Sequence, residues 1–118
     1  MSIFDKLQKR AFYPFKMVNG ETVHLCGLTF KQLRTLEPFK DTDESNGYAI
    51  GCCLLNEDGS RVFTQEPGES PQDFGKRVLT RLDDGDGFSF DLFNPIVERI
   101  LKLSHRPSEH AAEAIVKN

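Results

Sequence analysis

The sequence predicts an α+β domain, mostly α, with an N-terminal β-hairpin followed by about four to five helices packed as one small domain. Three observations carry that class. Asn19-Gly20 sits between two partly apolar flanks, the composition of a hairpin turn. Beyond residue 28, apolar residues recur at three- and four-residue intervals behind capping residues, as in amphipathic helices. A length of 118 residues gives room for one domain and not two. By area scaling, a chain of 13.4 kDa buries about two-thirds of its unfolded surface, so a real core is available.

Ser2, with Asp5 three residues on, caps a short helix over about 3–12 whose apolar positions are Ile3, Phe4, Leu7, Ala11 and Phe12. Pro14 ends it, so residues 1–14 read as a helical arm that a neighbouring subunit can use. Phe15 to Val18 and Glu21 to Cys26 form the hairpin. A two-residue type I′ turn at Asn19-Gly20 sets Val18 opposite Glu21, Lys16 opposite Val23 and Phe15 opposite His24. One face then carries Val18, Val23 and Leu25, and the other Phe15, Met17 and Cys26. An isolated hairpin is marginal, so it must lean on a helix or on another chain, with its uncovered edge available for pairing between subunits.

Thr29 caps a helix that runs until Pro38, with Phe30, Leu33 and Leu36 as its core-packing residues. Lys40 to Gly47 reads as a polar loop, in which Asp43 to Ser45 cap the next segment. That segment, Tyr48 to Leu55, is almost wholly apolar. Only Ile50 in it is β-branched, which favours helix over strand. A turn at 56–59, an extended piece at 61–63 and a loop at 64–69 lead to Ser70-Pro71, a cap followed by proline at the first helical position. Phe74, Val78 and Leu82 then lie four residues apart, with Leu79 beside them and Lys76, Arg77 and Arg81 outward. Asp83 to Gly87 breaks the chain. Phe88, Phe90, Leu92 and Phe93 crowd together before Asn94-Pro95, which starts the last strong helix. Its stripe is Ile96, Val97, Ile100, Leu101 and Leu103, and His105-Arg106-Pro107 ends it. The chain thus divides into an arm (1–14), one domain (15–104) and a C-terminal tail or short helix (105–118).

Charge and composition exclude several functions. A formal charge of −3 and a pI near 5.6 lack the basic footprint of most nucleic-acid binders, and the Lys and Arg residues are dispersed between acidic loops. No apolar run approaches the ~20 residues of a membrane span, and the opening MSIFDKLQKR lacks a signal-peptide core. Cys26, Cys52 and Cys53 are odd in number and form no CxxC, as expected of buried thiols in a reducing compartment. A calcium loop fails on spacing: starting at Asp84 it places Ser89 where glycine is required, and starting at Asp41 it places Cys52 at the closing glutamate. His24 and Cys26 share a strand face, which reads as packing rather than as a base and nucleophile, while His105 and His110 read as helix-end residues. No GxSxG, P-loop or GxGxxG occurs. The expectation is a protein with no catalytic residues, no metal and no cofactor.

The unusual feature is apolar. The chain has ten Phe and no Trp. Phe12, Tyr13, Phe15, Phe39, Phe63, Phe88, Phe90 and Phe93 all fall in or beside loops and element ends. A small domain with so many loop aromatics often presents a partner surface.

The order VNGETVHLCGLTFKQLRTLEPF (18–39), YAIGCCLLNEDGSRVFT (48–64) and a capped helix (70–82) resembles tail assembly chaperones of long-tailed bacteriophages. In that family a hairpin ending in a phrase like L-T-x-x-x-L precedes a helix, and an apolar segment runs into a D/E-D-G-x-x-V/L-F turn. Leu28-Thr29 with Leu33, and Glu57-Asp58-Gly59 with Val62-Phe63, are the matching residues, over about 15 to 104. The resemblance implies a non-catalytic assembly factor of the host cytoplasm that binds the largely helical tape measure protein, keeps it soluble and promotes polymerisation of tail tube protein. It implies self-association into spirals or rings, absence from the finished virion and, in several phages, a frameshifted extended form. Phe4, Phe12, Phe88, Phe90 and Phe93 are the residues expected to meet client or neighbouring subunit. The alternative is a small structural virion protein, a head–tail connector or tail accessory.

Overall fold

The computed structural model describes residues 2–3 and 11–117, with side chains as far as Ser104. Its elements are β1 (Tyr13–Lys16), β2 (Thr22–Leu25), α1 (Phe30–Leu36), α2 (Thr42–Cys53), β3 (Leu54–Leu55), α3 (Pro71–Leu82) and α4 (Phe90–Lys117). The α+β class holds, as a three-stranded antiparallel sheet ordered β1-β2-β3 with four helices among the described residues. Most of the expected helix at 3–12 lies outside those residues; Ala11 and Phe12, within them, belong to neither helix nor strand.

The hairpin forms, but one residue out of the expected register. Phe15 pairs with Val23 and Lys16 with Thr22. Asn19 does not adopt the positive φ that a type I′ turn demands; only Gly20 does, at 89°. The loop is therefore Val18-Asn19-Gly20, closed by Met17 N–H to Glu21 O at 2.8 Å and Gly20 N–H to Met17 O at 2.9 Å. This is the three-residue loop in which a glycine follows the turn. Asn19 Oδ1 accepts from the Glu21 N–H at 3.0 Å, an alternative that satisfies the turn without left-handed asparagine. A slip of one residue exchanges faces. Phe15 now shares a face with Val23 and Leu25, while Val18 is left 79% exposed.

The same register governs the sheet edge. Hydrogen-bonded and non-hydrogen-bonded pairs alternate, so with Met17 bonded to Glu21 the main chains of Pro14 and Lys16 face away from β2. Pro14 has no N–H to offer and Lys16 carries charge, and both disfavour pairing with a further strand.

α1 carries a capping box, with Gln32 N–H to Thr29 Oγ1 at 3.2 Å and Thr29 N–H to Gln32 Oε1 at 2.9 Å. Leu33 and Leu36 pack against the core, but Phe30 is 82% exposed. The reason is angular. Residues spaced by three, without an i+4 member, spread over about 120° of a helix, so a core that takes Leu33 and Leu36 leaves Phe30 outside.

α2 starts earlier than the apolar pattern indicates. Asp41 Oδ1 accepts from the Glu44 N–H at 3.1 Å, and the stretch expected as polar loop forms the first turns, with Asp43 and Glu44 favourable at the helix N-terminus. From Gly47 to Cys53 every residue is buried, so α2 is the central helix, covered on all sides. Leu54 and Leu55 then leave the helix and pair with Leu25 and His24. Cys26 N–H to Cys53 O at 3.1 Å, Val62 N–H to Leu54 O at 3.3 Å and an Arg61–Leu55 bridge hold this strand from both sides. Arg61 also donates to Gly51 O at 3.1 Å near the α2 C-terminus.

α3 begins as expected, with Ser70 as cap, Pro71 in the first turn, and Phe74 and Val78 fully buried. Arg77 forks onto Glu69 at 2.8 and 2.9 Å, reaches Thr64 O at 2.6 Å and lies over the Phe74 ring. That fork, with the Glu66 N–H, holds the Glu69 carboxyl down at about 2 and fixes the 64–69 loop on α3.

α4 starts at Phe90, ahead of Asn94-Pro95: Ser89 O accepts from the Leu92 and Phe93 N–H groups at 3.0 and 2.9 Å. It also continues through His105-Arg106-Pro107 to Lys117. A single proline removes one main-chain bond, to the Leu103 carbonyl, and the Glu- and Ala-rich residues beyond it are good helix formers. Ser104 Oγ accepts from the Leu28 N–H at 2.7 Å and donates to Ile100 O at 2.6 Å. A Cβ on Gly27 would lie 2.8 Å from Leu103 O, so only glycine lets this connection rest on the α4 backbone. No helix among the described residues is long and apolar enough to cross a membrane.

Candidate functional site

The close approach of α2 and α3 builds the site. Gly47 and Gly75 face each other across the crossing: a Cβ on Gly47 would collide with the Gly75 carbonyl and lie 2.8 Å from Leu79 Cγ. A Cβ on Gly51 would lie 2.7 Å from the Phe74 ring. Three glycines therefore let α3 lie on α2 at main-chain distance, with Leu79 filling the space over Gly47. The Lys76–Glu44 ion pair at 3.5 Å spans the same crossing.

One turn before Gly47, the two helices leave a cleft of about 440 Å³. Leu79 and Leu82 of α3 form one wall, and Phe88 and Phe93 face it from the following loop and from α4. Phe93 is buried, Phe88 half-buried, and Phe90 forms a lip that is 71% exposed. The Phe90 and Phe93 rings meet edge-on at 6.3 Å, which props Phe90 in place.

The polar lining is Thr80 and two carboxylates. Asp43 comes from the first turn of α2 and Asp83 from the end of α3. One Asp83 oxygen accepts from the Phe88 N–H at 3.1 Å, and the turn to Phe88 uses Gly85 and Gly87 at φ 69° and 92°. The α3 cations are engaged with other carboxylates: Lys76 with Glu44, Arg77 with Glu69, and Arg81 with Asp84 at 3.3 Å. Among the described residues no lysine or arginine lines the cleft.

Of the five aromatic residues expected at a partner surface, the structure brings Phe88, Phe90 and Phe93 together. Phe12 is elsewhere, its ring set edge-on to His24 at 6.1 Å and against Gly59. Phe4 lies outside the described residues. Phe63 belongs to the core, and Phe15 and Phe39 pack against it. Leu79, Leu82 and Asp43 were not read as site residues, because nothing local marks them. The available signal was Gly47 and Gly51, one turn apart at the start of the apolar segment, which marks a close helix crossing.

Elsewhere, Cys26, Cys52 and Cys53 are buried thiols. Cys26 Sγ lies 3.7 Å from Cys53 O. Burial, with Cys52 adjacent, pushes the Tyr48 hydroxyl up to about 12. Among the described residues no group of three or more His, Cys, Asp or Glu side chains is placed to hold a metal ion. Comparison of the chain with protein families, curated proteins and solved structures finds no match.

Proposed function

We propose that this protein is a tail assembly chaperone of a long-tailed bacteriophage or prophage, acting in the host cytoplasm without catalysis. It binds apolar helical segments of the tape measure protein, keeps that client soluble, and yields it as tail tube protein polymerises. One observation carries the reading: an aromatic cleft whose phenylalanine lip, Phe90, is exposed beside it. The order of elements, from hairpin and capped helix to apolar helix and Glu57-Asp58-Gly59 turn, supports it. A net charge of −3 suits a protein client better than a phosphate backbone.

Moderate affinity multiplied by self-association suits a chaperone that must release its client. The test is co-expression with a candidate tape measure protein. The expected result is rescue of that protein's solubility; unchanged aggregation overturns the reading. Light scattering over a concentration series tests the assembly, and a strict monomer throughout refutes it.

A further inference from the structure

The cleft joins two features that a general apolar surface does not combine. Its walls are leucine, phenylalanine and Thr80, while Asp43 and Asp83 supply its only charges among the described residues. Among the described residues the exposed Asp43 carboxylate has no hydrogen-bond or ion-pair partner, and Asp83 places one oxygen on Phe88 N–H and none on a cation. Unneutralised carboxylates beside an apolar slot complement a ligand that is apolar at its tip and cationic beside it.

We infer that the cleft takes one apolar side chain of a partner helix, with a lysine or arginine one turn away reaching Asp43 and Asp83. The slot between Leu79, Leu82 and Phe93 receives the apolar group, and Phe90 closes over its stem. The acidic pair then selects helices with a cation at that offset and rejects those with glutamate there. This rests on the reading that the protein binds helical client segments, and it names what such a segment must carry.

The probe is a fluorescein-labelled synthetic helix with leucine one turn from lysine, titrated against the whole protein by anisotropy. A second peptide carries glutamate in place of lysine. The lysine peptide is expected to bind, the glutamate peptide to bind at least tenfold more weakly, and added salt to narrow the gap. Asp43→Asn with Asp83→Asn, which retains an acceptor for Phe88 N–H, is expected to weaken the lysine peptide by about threefold to tenfold. Phe90→Ala is expected to weaken both peptides by about tenfold. Glu37→Gln with Glu57→Gln removes the same charge away from the cleft and is expected to change neither.

Equal binding of the two peptides, or equal losses in the two double variants, overturns the inference. The outcomes separate from those of the functional proposal. If a tape measure protein is solubilised equally by wild type and by the Phe90 and Asp variants, the cleft assignment fails and the chaperone reading stands. If the lysine peptide binds at the cleft but no tape measure protein is rescued, the assignment stands and the chaperone reading fails.

Discussion

Replacing Gly75 by alanine tests the helix crossing on which the cleft depends. The added Cβ would collide with the Glu44 carbonyl and lie 3.2 Å from the Tyr48 nitrogen, both main-chain atoms. A flexible side chain can turn aside, but these atoms move only if α2 and α3 separate. Separation by a fraction of an ångström weakens every dispersion contact around Phe74 and Val78, both fully buried. Overpacking of this kind costs up to about 3 kcal/mol. Alanine returns about 1 kcal/mol of helix propensity. The net expectation is a loss of about 2 kcal/mol, which over 118 residues lowers Tm by about 8 °C. Thermal and urea unfolding followed by circular dichroism read this directly. Gly47→Ala is expected to behave alike, and the double variant to lose less than the sum, because both substitutions force the same separation. A Gly75→Ala protein as stable as wild type, or more so, would refute the crossing and with it the origin of the cleft.

Other expectations follow from particular contacts. Phe30→Ser is expected to change stability by less than about 0.5 kcal/mol, since the ring is 82% exposed; a large loss in urea titration would return Phe30 to the core. The Glu69 carboxyl is depressed to about 2 by Arg77 and the Glu66 N–H, so its contribution is complete above the ordinary value of 4.5 and is lost as pH falls toward 2. Glu69→Gln should flatten that part of the acid stability profile, and an unchanged slope would contradict the fork. Tyr48 behaves in the opposite sense: with its hydroxyl raised from 10.0 to about 12, the native state holds its proton longer, and stability falls as pH rises through that window. Tyr48→Phe should reduce the fall, measured by urea unfolding at alkaline pH.

Much of the framework is local and was legible from residue order. Thr29 and Ser70-Pro71 start helices where caps and proline predict, because capping joins residues three apart and needs no partner from afar. The single β-branched residue, Ile50, in the segment from Tyr48 marks helix, and Phe74 and Val78 mark the buried stripe of α3. Phe88, Phe90 and Phe93 were legible as a cluster because they are neighbours in sequence.

The remainder was decided by contacts between distant segments. Asn19-Gly20 announces a turn, but only the sheet selects its length, because placing Phe15 with Val23 and Leu25 builds one apolar face. Leu54 and Leu55 have no local reason to leave a helix; they do so because β2 and the 61–62 segment hold their main chain. The cleft exists because Gly47 and Gly75 allow two helices to approach within main-chain distance. That approach sets Leu79 of α3 beside Asp43 of α2 and opposite Phe93 of α4. Residue order carries periodicity and capping, which act within a turn or two; the pairing of helix faces comes from steric fit between segments, and only the folded chain expresses it.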